Sequence, residues 1–153
     1  MTDHSSPVHD RVLVGLIALV GLLIRIWLPF PRIFRDGYVN FQDDAWYHMR
    51  AVDHLVANFP HRLTDDPYAV FGGQYVGMAP LFDYLIATIA LIIGLGHPSA
   101  ATVNIVGAVI PPVLGAIAVA LVFALGARVF DRRTGLLAAA VLAIMPGHFL
   151  NHT

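Results

Sequence analysis

Long apolar runs on either side of one polar stretch set the layout of the chain. Residues 12–30 are apolar apart from Arg25 and predict a first membrane-spanning helix. The run is longer than a signal-peptide core and ends in Pro29-Phe30-Pro31 instead of small residues, so it reads as an uncleaved span. Arg25 sits toward its far end, where a long cationic side chain can snorkel to the interface. From Arg32 to Pro80 the chain is polar, and long connections of this kind often carry function. Inside it, apolar residues at 45, 46, 49, 52, 55 and 56 predict a helix over Asp44–Phe59 that ends at Asn58-Phe59-Pro60. Asp65-Asp66-Pro67 and Phe71-Gly72-Gly73 read as turns. Residues 81–96 are apolar but too short, at ~1.5 Å per residue, to cross a hydrocarbon core of about 30 Å. Residues 102–127 are long enough, with a kink expected at Pro111-Pro112. A last span follows at 135–147.

Charge turns this pattern into a topology. Arg128, Arg132 and Arg133 form the densest basic cluster, which places 128–134 in the cytoplasm. Residues 135–147 then run outward, 148–153 begin a second external loop, and 102–127 run inward. Residues 1–11 become a cytoplasmic tail and 31–101 a first external loop, with 81–96 lying on the outer surface as an interfacial helix. The expected class is an all-α, multi-pass integral membrane protein with three transmembrane helices and a helical first external loop.

Composition adds exclusions. The chain is 153 residues, 58% hydrophobic and 12% charged, with a mean hydropathy of +0.71. A soluble domain of this length needs more polar surface. No Asp, Glu, Lys or Arg occurs between Asp83 and Arg128. Every acid is Asp and every base is Arg, a compositional drift with no chemical reading of its own. With no Cys there is no disulfide, thiolate nucleophile or Cys-ligated metal. A net charge of −1 without a basic patch argues against a nucleic-acid partner.

The candidate chemistry lies in Phe41-Gln-Asp-Asp-Ala-Trp-Tyr-His-Met-Arg50. Asp43 or Asp44 can cap the following helix as readily as it can bind a metal. Asp44 and His48 stand at i and i+4, a spacing compatible with a shared metal and equally common on a solvated helix face. Gly135-Leu-Leu-Ala-Ala-Ala-Val suits helix packing and implies no chemistry. Asn151-His152-Thr153 spells a glycosylation sequon by a three-residue match.

The run Asp43-Asp44-Ala45-Trp46-Tyr47-His48-Met49-Arg50 resembles the first acidic motif of archaeal oligosaccharyltransferase catalytic subunits. Met78-Ala-Pro-Leu-Phe-Asp83-Tyr-Leu-Ile resembles the proline-bounded amphipathic helix of that family's first external loop. Met145-Pro-Gly-His-Phe-Leu-Asn-His-Thr153 is similar to the segment leading into its second external loop. The resemblance implies the N-terminal region of a GT-C-type membrane glycosyltransferase. Its activity would be transfer of a glycan from a dolichyl phosphate or diphosphate donor to Asn in Asn-x-Ser/Thr, with Mn²⁺ or Mg²⁺. Implied partners are that lipid-linked oligosaccharide, an acceptor protein and membrane lipids, with the active site on the external face of the cell membrane.

By position, the resemblance makes Asp44 the catalytic, metal-binding carboxylate, with Asp43 in the variable place before it and Gln42 where relatives often have Gly. His48 and Arg50 match the pattern as residues that support the site or pack the loop, and the remaining ligands are expected beyond Thr153. His152 stands where relatives tend to have Arg. These residues alone are therefore expected to be inactive, since one Asp cannot hold a catalytic metal. Another GT-C polyprenol-phosphate glycosyltransferase and a non-catalytic membrane scaffold subunit are the alternatives.

Overall fold

The structure is a computed structural model and describes residues 7–28, 30–35, 38–41, 44–68, 73–77 and 80–145. Asp43, the Asn151-His152-Thr153 sequon, the end of the last expected span and most of the N-terminal tail lie outside these residues. In chain order the elements are α1 (Pro7–Trp27), α2 (Phe30–Ile33), β1 (Phe34–Arg35), β2 (Tyr38–Val39) and α3 (Asp44–Asn58). They continue with β3 (Asp65–Asp66), β4 (Gln74–Tyr75), α4 (Leu81–Ile93), α5 (Ala100–Val129) and α6 (Arg132–Ile144). Two compact units divide the chain, one of residues 1–34 and 109–153, the other of residues 35–108.

In the first unit, Val119, Ala139 and Ala143 are buried together, with Ile17, Ala18, Phe123 and Leu142 packed around them. Small residues let the backbones approach closely. A Cβ added at Gly135 would meet the backbone nitrogen of Ala127 at 2.7 Å. Asp131 caps α6, its side chain accepting from the Thr134 amide at 2.8 Å. Asp10, in the first turn of α1, pairs with Arg132 in the first turn of α6. At the other end, Arg25 near the close of α1 reaches the last turn of α6. Helices α1 and α6 are therefore parallel.

Arg25 departs from expectation. It does not snorkel: it is 4% exposed. Its guanidinium donates to the carbonyls of Gly21 at 3.0 Å, Ala143 at 3.3 Å and Leu142 at 3.0 Å. A helix end leaves its last carbonyls unpaired, and these offered nearer partners than the interface.

Among the described residues one helix, α5, is long and apolar enough to cross a membrane. Ser99 caps it, accepting from the Thr102 amide at 3.2 Å. Pro111 and Pro112 lie within it and withdraw the two amide donors that would reach Gly107 and Ala108. The boundary between the two units falls at the same place, between Ala108 and Val109.

The second unit packs α3 on α4. Met49, Ala51, Val52 and Leu55 are buried on one side, Ile86, Ala87 and Ala90 on the other. The expectation of an all-α fold needs one correction: among the described residues, four two-residue strands accompany the helices. β1 and β2 form one two-stranded ladder, and β3 pairs antiparallel with β4, Asp65 opposite Tyr75 and Asp66 opposite Gln74. The turn signal at Asp65-Asp66-Pro67 still operates, because Asp66 Oδ1 accepts from the Tyr68 amide at 2.9 Å. At the end of α4, Gly96 (φ +87°) returns its amide to the Leu91 carbonyl at 2.8 Å and closes the helix.

Candidate functional site

Helix α3 carries the motif, and its two faces have different tasks. On the face toward α4, His48 Nδ1 lies 2.6 Å from Asp83 Oδ1. The imidazole also stands edge-on to Phe82, with ring centroids 5.3 Å apart. Asp83 is a buried acid in an otherwise apolar helix, and such a group needs a partner. His48, which by spacing can share a ligand with Asp44, is instead committed to α4.

Arg50 is committed to β3. Its Nε and Nη2 donate to the two Asp66 carboxylate oxygens, each at 2.8 Å, in the bidentate form that suits a guanidinium. Tyr68 lies under the guanidinium, 5.1 Å from ring centroid to Cζ. Asp66 is 1% exposed. The Arg50 hydrogen bonds, then the Tyr68 amide, hold its pKa down at about 2. The same hydrogen bond holds the Arg50 guanidinium above its ordinary value. Burial, then the Asp66 carboxylate, pushes the Tyr47 phenol up.

A groove of about 430 Å³ runs along another stripe of α3, where Trp46, Met49, Arg50, Asp53 and His54 face Val39, Phe41, Leu63 and Asn104. Burial raises the Asp53 carboxyl. His54 Nδ1 is buried without a hydrogen-bond partner among the described residues.

Asp44 is the first residue of α3 and is exposed, where the positive end of the helix favours an anion. It has no partner among the described residues, and Asp43 lies outside them. Those residues bring no three His, Cys, Asp or Glu side chains together around a metal position. The structure thus joins His48 to Asp83 and Arg50 to Asp66, and leaves Asp44 apart from both pairs. Asp66 and Asp83 were missed as partners. A lone acid in the apolar run 81–96 was a signal for Asp83. Asp66 had none beyond its turn, because its pairing with Arg50 crosses 16 residues.

Comparison with known proteins gives this geometry a context. The dolichyl-monophosphooligosaccharide–protein glycotransferase AglB of Haloferax volcanii is 37% identical over 135 residues, 84% of this chain and 13% of that protein. An Archaeoglobus fulgidus AglB oligosaccharyltransferase, solved with an inhibitory peptide and a dolichol-phosphate, superimposes with a TM-score of 0.79 at 31% identity. The match covers 89% of this chain and 16% of that one. An A. fulgidus oligosaccharyltransferase with Zn and sulfate gives a TM-score of 0.75 at 33% identity, covering 86% of this chain and 16% of that one. The chain therefore spans well under a quarter of these relatives' length and resembles their N-terminal part. Residues 16–153 match the family described as Oligosaccharyl transferase STT3, N-terminal, and with nearly the whole chain inside that match, this protein belongs to the STT3 family.

Proposed function

We propose that this chain is the N-terminal part of a GT-C-type membrane oligosaccharyltransferase. The enzyme would move a glycan from a dolichyl phosphate or diphosphate donor to the side-chain nitrogen of Asn in Asn-x-Ser/Thr of an acceptor protein. The new bond joins the anomeric carbon to that nitrogen, the broken bond frees the lipid phosphate, and the amide gives up a proton. The observation that carries this reading is Asp44: it is exposed and, among the described residues, unengaged, in a motif whose His48 and Arg50 are held by Asp83 and Asp66. In this role Asp44 would ligate a divalent metal, Mn²⁺ or Mg²⁺, with Asp43 as the weaker candidate. Asp44 fits as one oxygen ligand only. Such an ion takes several, so the others come from outside the described residues. When bound, the ion would stabilise the negative charge of the leaving phosphate. His48 and Arg50 hold α3 in place and stay off the metal.

The same reading makes the protein multi-pass, with spans at 12–30, 102–127 and 135–147 and the active site external. The parallel course of α1 and α6 supports it. If both cross the membrane in one direction, an odd number of crossings separates them; α5 supplies one, so α4 supplies none. Helix α4 has the faces an interfacial helix needs. Leu81, Leu85 and Ile92 form an exposed apolar stripe opposite buried Asp83, Ile86, Ala87 and Ala90.

The test is Asp44→Ala in the full-length protein, assayed with lipid-linked glycan, sequon peptide and Mn²⁺. Glycopeptide formation should fall by ~100-fold or more at unchanged protein yield, as expected for loss of a charge-stabilising group. Unchanged transfer would refute the assignment.

A further inference from the structure

Arg25 lies outside the motif and is built into the fold with unusual care. Helix α6 has no basic residue in its last turn, and Met145 after it is extended (φ −67°, ψ 119°), so it lacks a local cap. In apolar surroundings its last carbonyls have no water to turn to. Arg25 donates to two of them, Leu142 and Ala143, from 117 and 118 residues away. Two glycines leave it room. A Cβ at Gly21 would lie 2.8 Å from its Nη1, and one at Gly115 2.8 Å from its Nε. By contrast, a Cβ at Gly15 on the same helix would meet nothing within 4 Å.

We propose that Arg25 is a positioning residue of the transferase, a guanidinium cap supplied by α1 that fixes where the chain leaves α6. In this role it would act through the backbone direction at Met145, the residue that follows α6, and not by contact with a substrate. The link to catalysis rests on the oligosaccharyltransferase reading above; the cap itself does not.

The experiment uses the full-length protein in membranes, with Met145→Cys as a reporter in a background free of other cysteines. Arg25→Met should change the rate at which a membrane-impermeant maleimide modifies the reporter. It should also lower kcat by about 10- to 100-fold, the scale of a misplaced catalytic group, with KM for the acceptor peptide nearly unchanged. Arg25→Lys should recover part of both effects, since one ammonium can reach a carbonyl but cannot span two. If Arg25→Met does not fold, Gly115→Ala crowds the guanidinium while keeping its charge, and both readouts should move the same way. Labelling and kcat per folded molecule that match the parent in these variants would overturn the proposal. Altered labelling in a protein whose parent transfers no glycan would uphold the cap and refute the transferase reading, so the two failures are distinguishable.

Discussion

Each unit has an arginine held by hydrogen bonds to distant residues, and the partners differ in kind; the buried Arg25 Nε has none among the described residues. In the unit of α3 and α4, Arg50 meets a carboxylate, two parallel hydrogen bonds to a buried Asp66. In the unit of α1 and α6, Arg25 meets only backbone carbonyls among the described residues, at the end of a helix that lacks a cap of its own. The surroundings explain the difference. The polar stretch is rich in acids, whereas the apolar runs around Arg25 hold none, and there the partial negative charge of a helix C-terminus is the available anion. Both cores mix branched and small side chains, Val52, Leu55 and Ile86 with Ala87 and Ala90 in the one, Val119 with Ala139 and Ala143 in the other, and at Gly135 helix α6 meets the backbone of α5.

The contrast can be broken from either side. Leu55→Ala should act most strongly, because it empties a fully buried site between α3 and α4. A loss of about 2–5 kcal/mol is expected, read by thermal denaturation in detergent, with the α1–α6 contacts intact by cross-linking. Gly135→Ala is the matching insult to the other unit. Its new Cβ meets backbone at Ala127 and Phe123, and overpacking of this kind costs about 1–3 kcal/mol. Stability unchanged in that variant would mean that α5 and α6 are not held so closely.

Acid should loosen β3 and leave Arg25 untouched. The Asp66 pKa is lowered from 3.8 to about 2, so its contribution is complete above the unfolded value and is lost as pH falls through the folded one. Protease cleavage near residues 61–68 should therefore accelerate as pH drops from about 4 toward 2 in the parent, with Asp66→Asn cleaved fast throughout. A parent whose cleavage does not change across that window would exclude the ion pair as the tie. The smallest effect belongs to Tyr84→Phe, which removes one exposed hydrogen bond to the Pro60 carbonyl (2.7 Å) and should cost about 1 kcal/mol or less by thermal denaturation.

Much of this was legible beforehand. Hydrophobic spacing located α3 to within a residue, and Asn58-Phe59-Pro60 marked its end. Pro80 and Gly96-His97-Pro98 bounded the run 81–96, which α4 fills as far as Ile93, and length separated it from α5. The motif drew attention to Asp44, His48 and Arg50, but not to the acids that hold two of them. A carboxylate 16 or 35 residues away has no periodic signature. Nor do the two short ladders, whose two-residue strands are too brief for alternation to register.

By itself, the sequence determined where apolar helices form, where they stop, and which polar segment carries the chemistry, because burial periodicity and helix-ending residues act locally. Tertiary structure alone decided the partners: Asp83 for His48, Asp66 for Arg50, and the end of α6 for Arg25. Each pairing joins groups far apart in the chain. What selects it is the cost of leaving a buried donor or acceptor empty, and that cost arises only once the helices have packed.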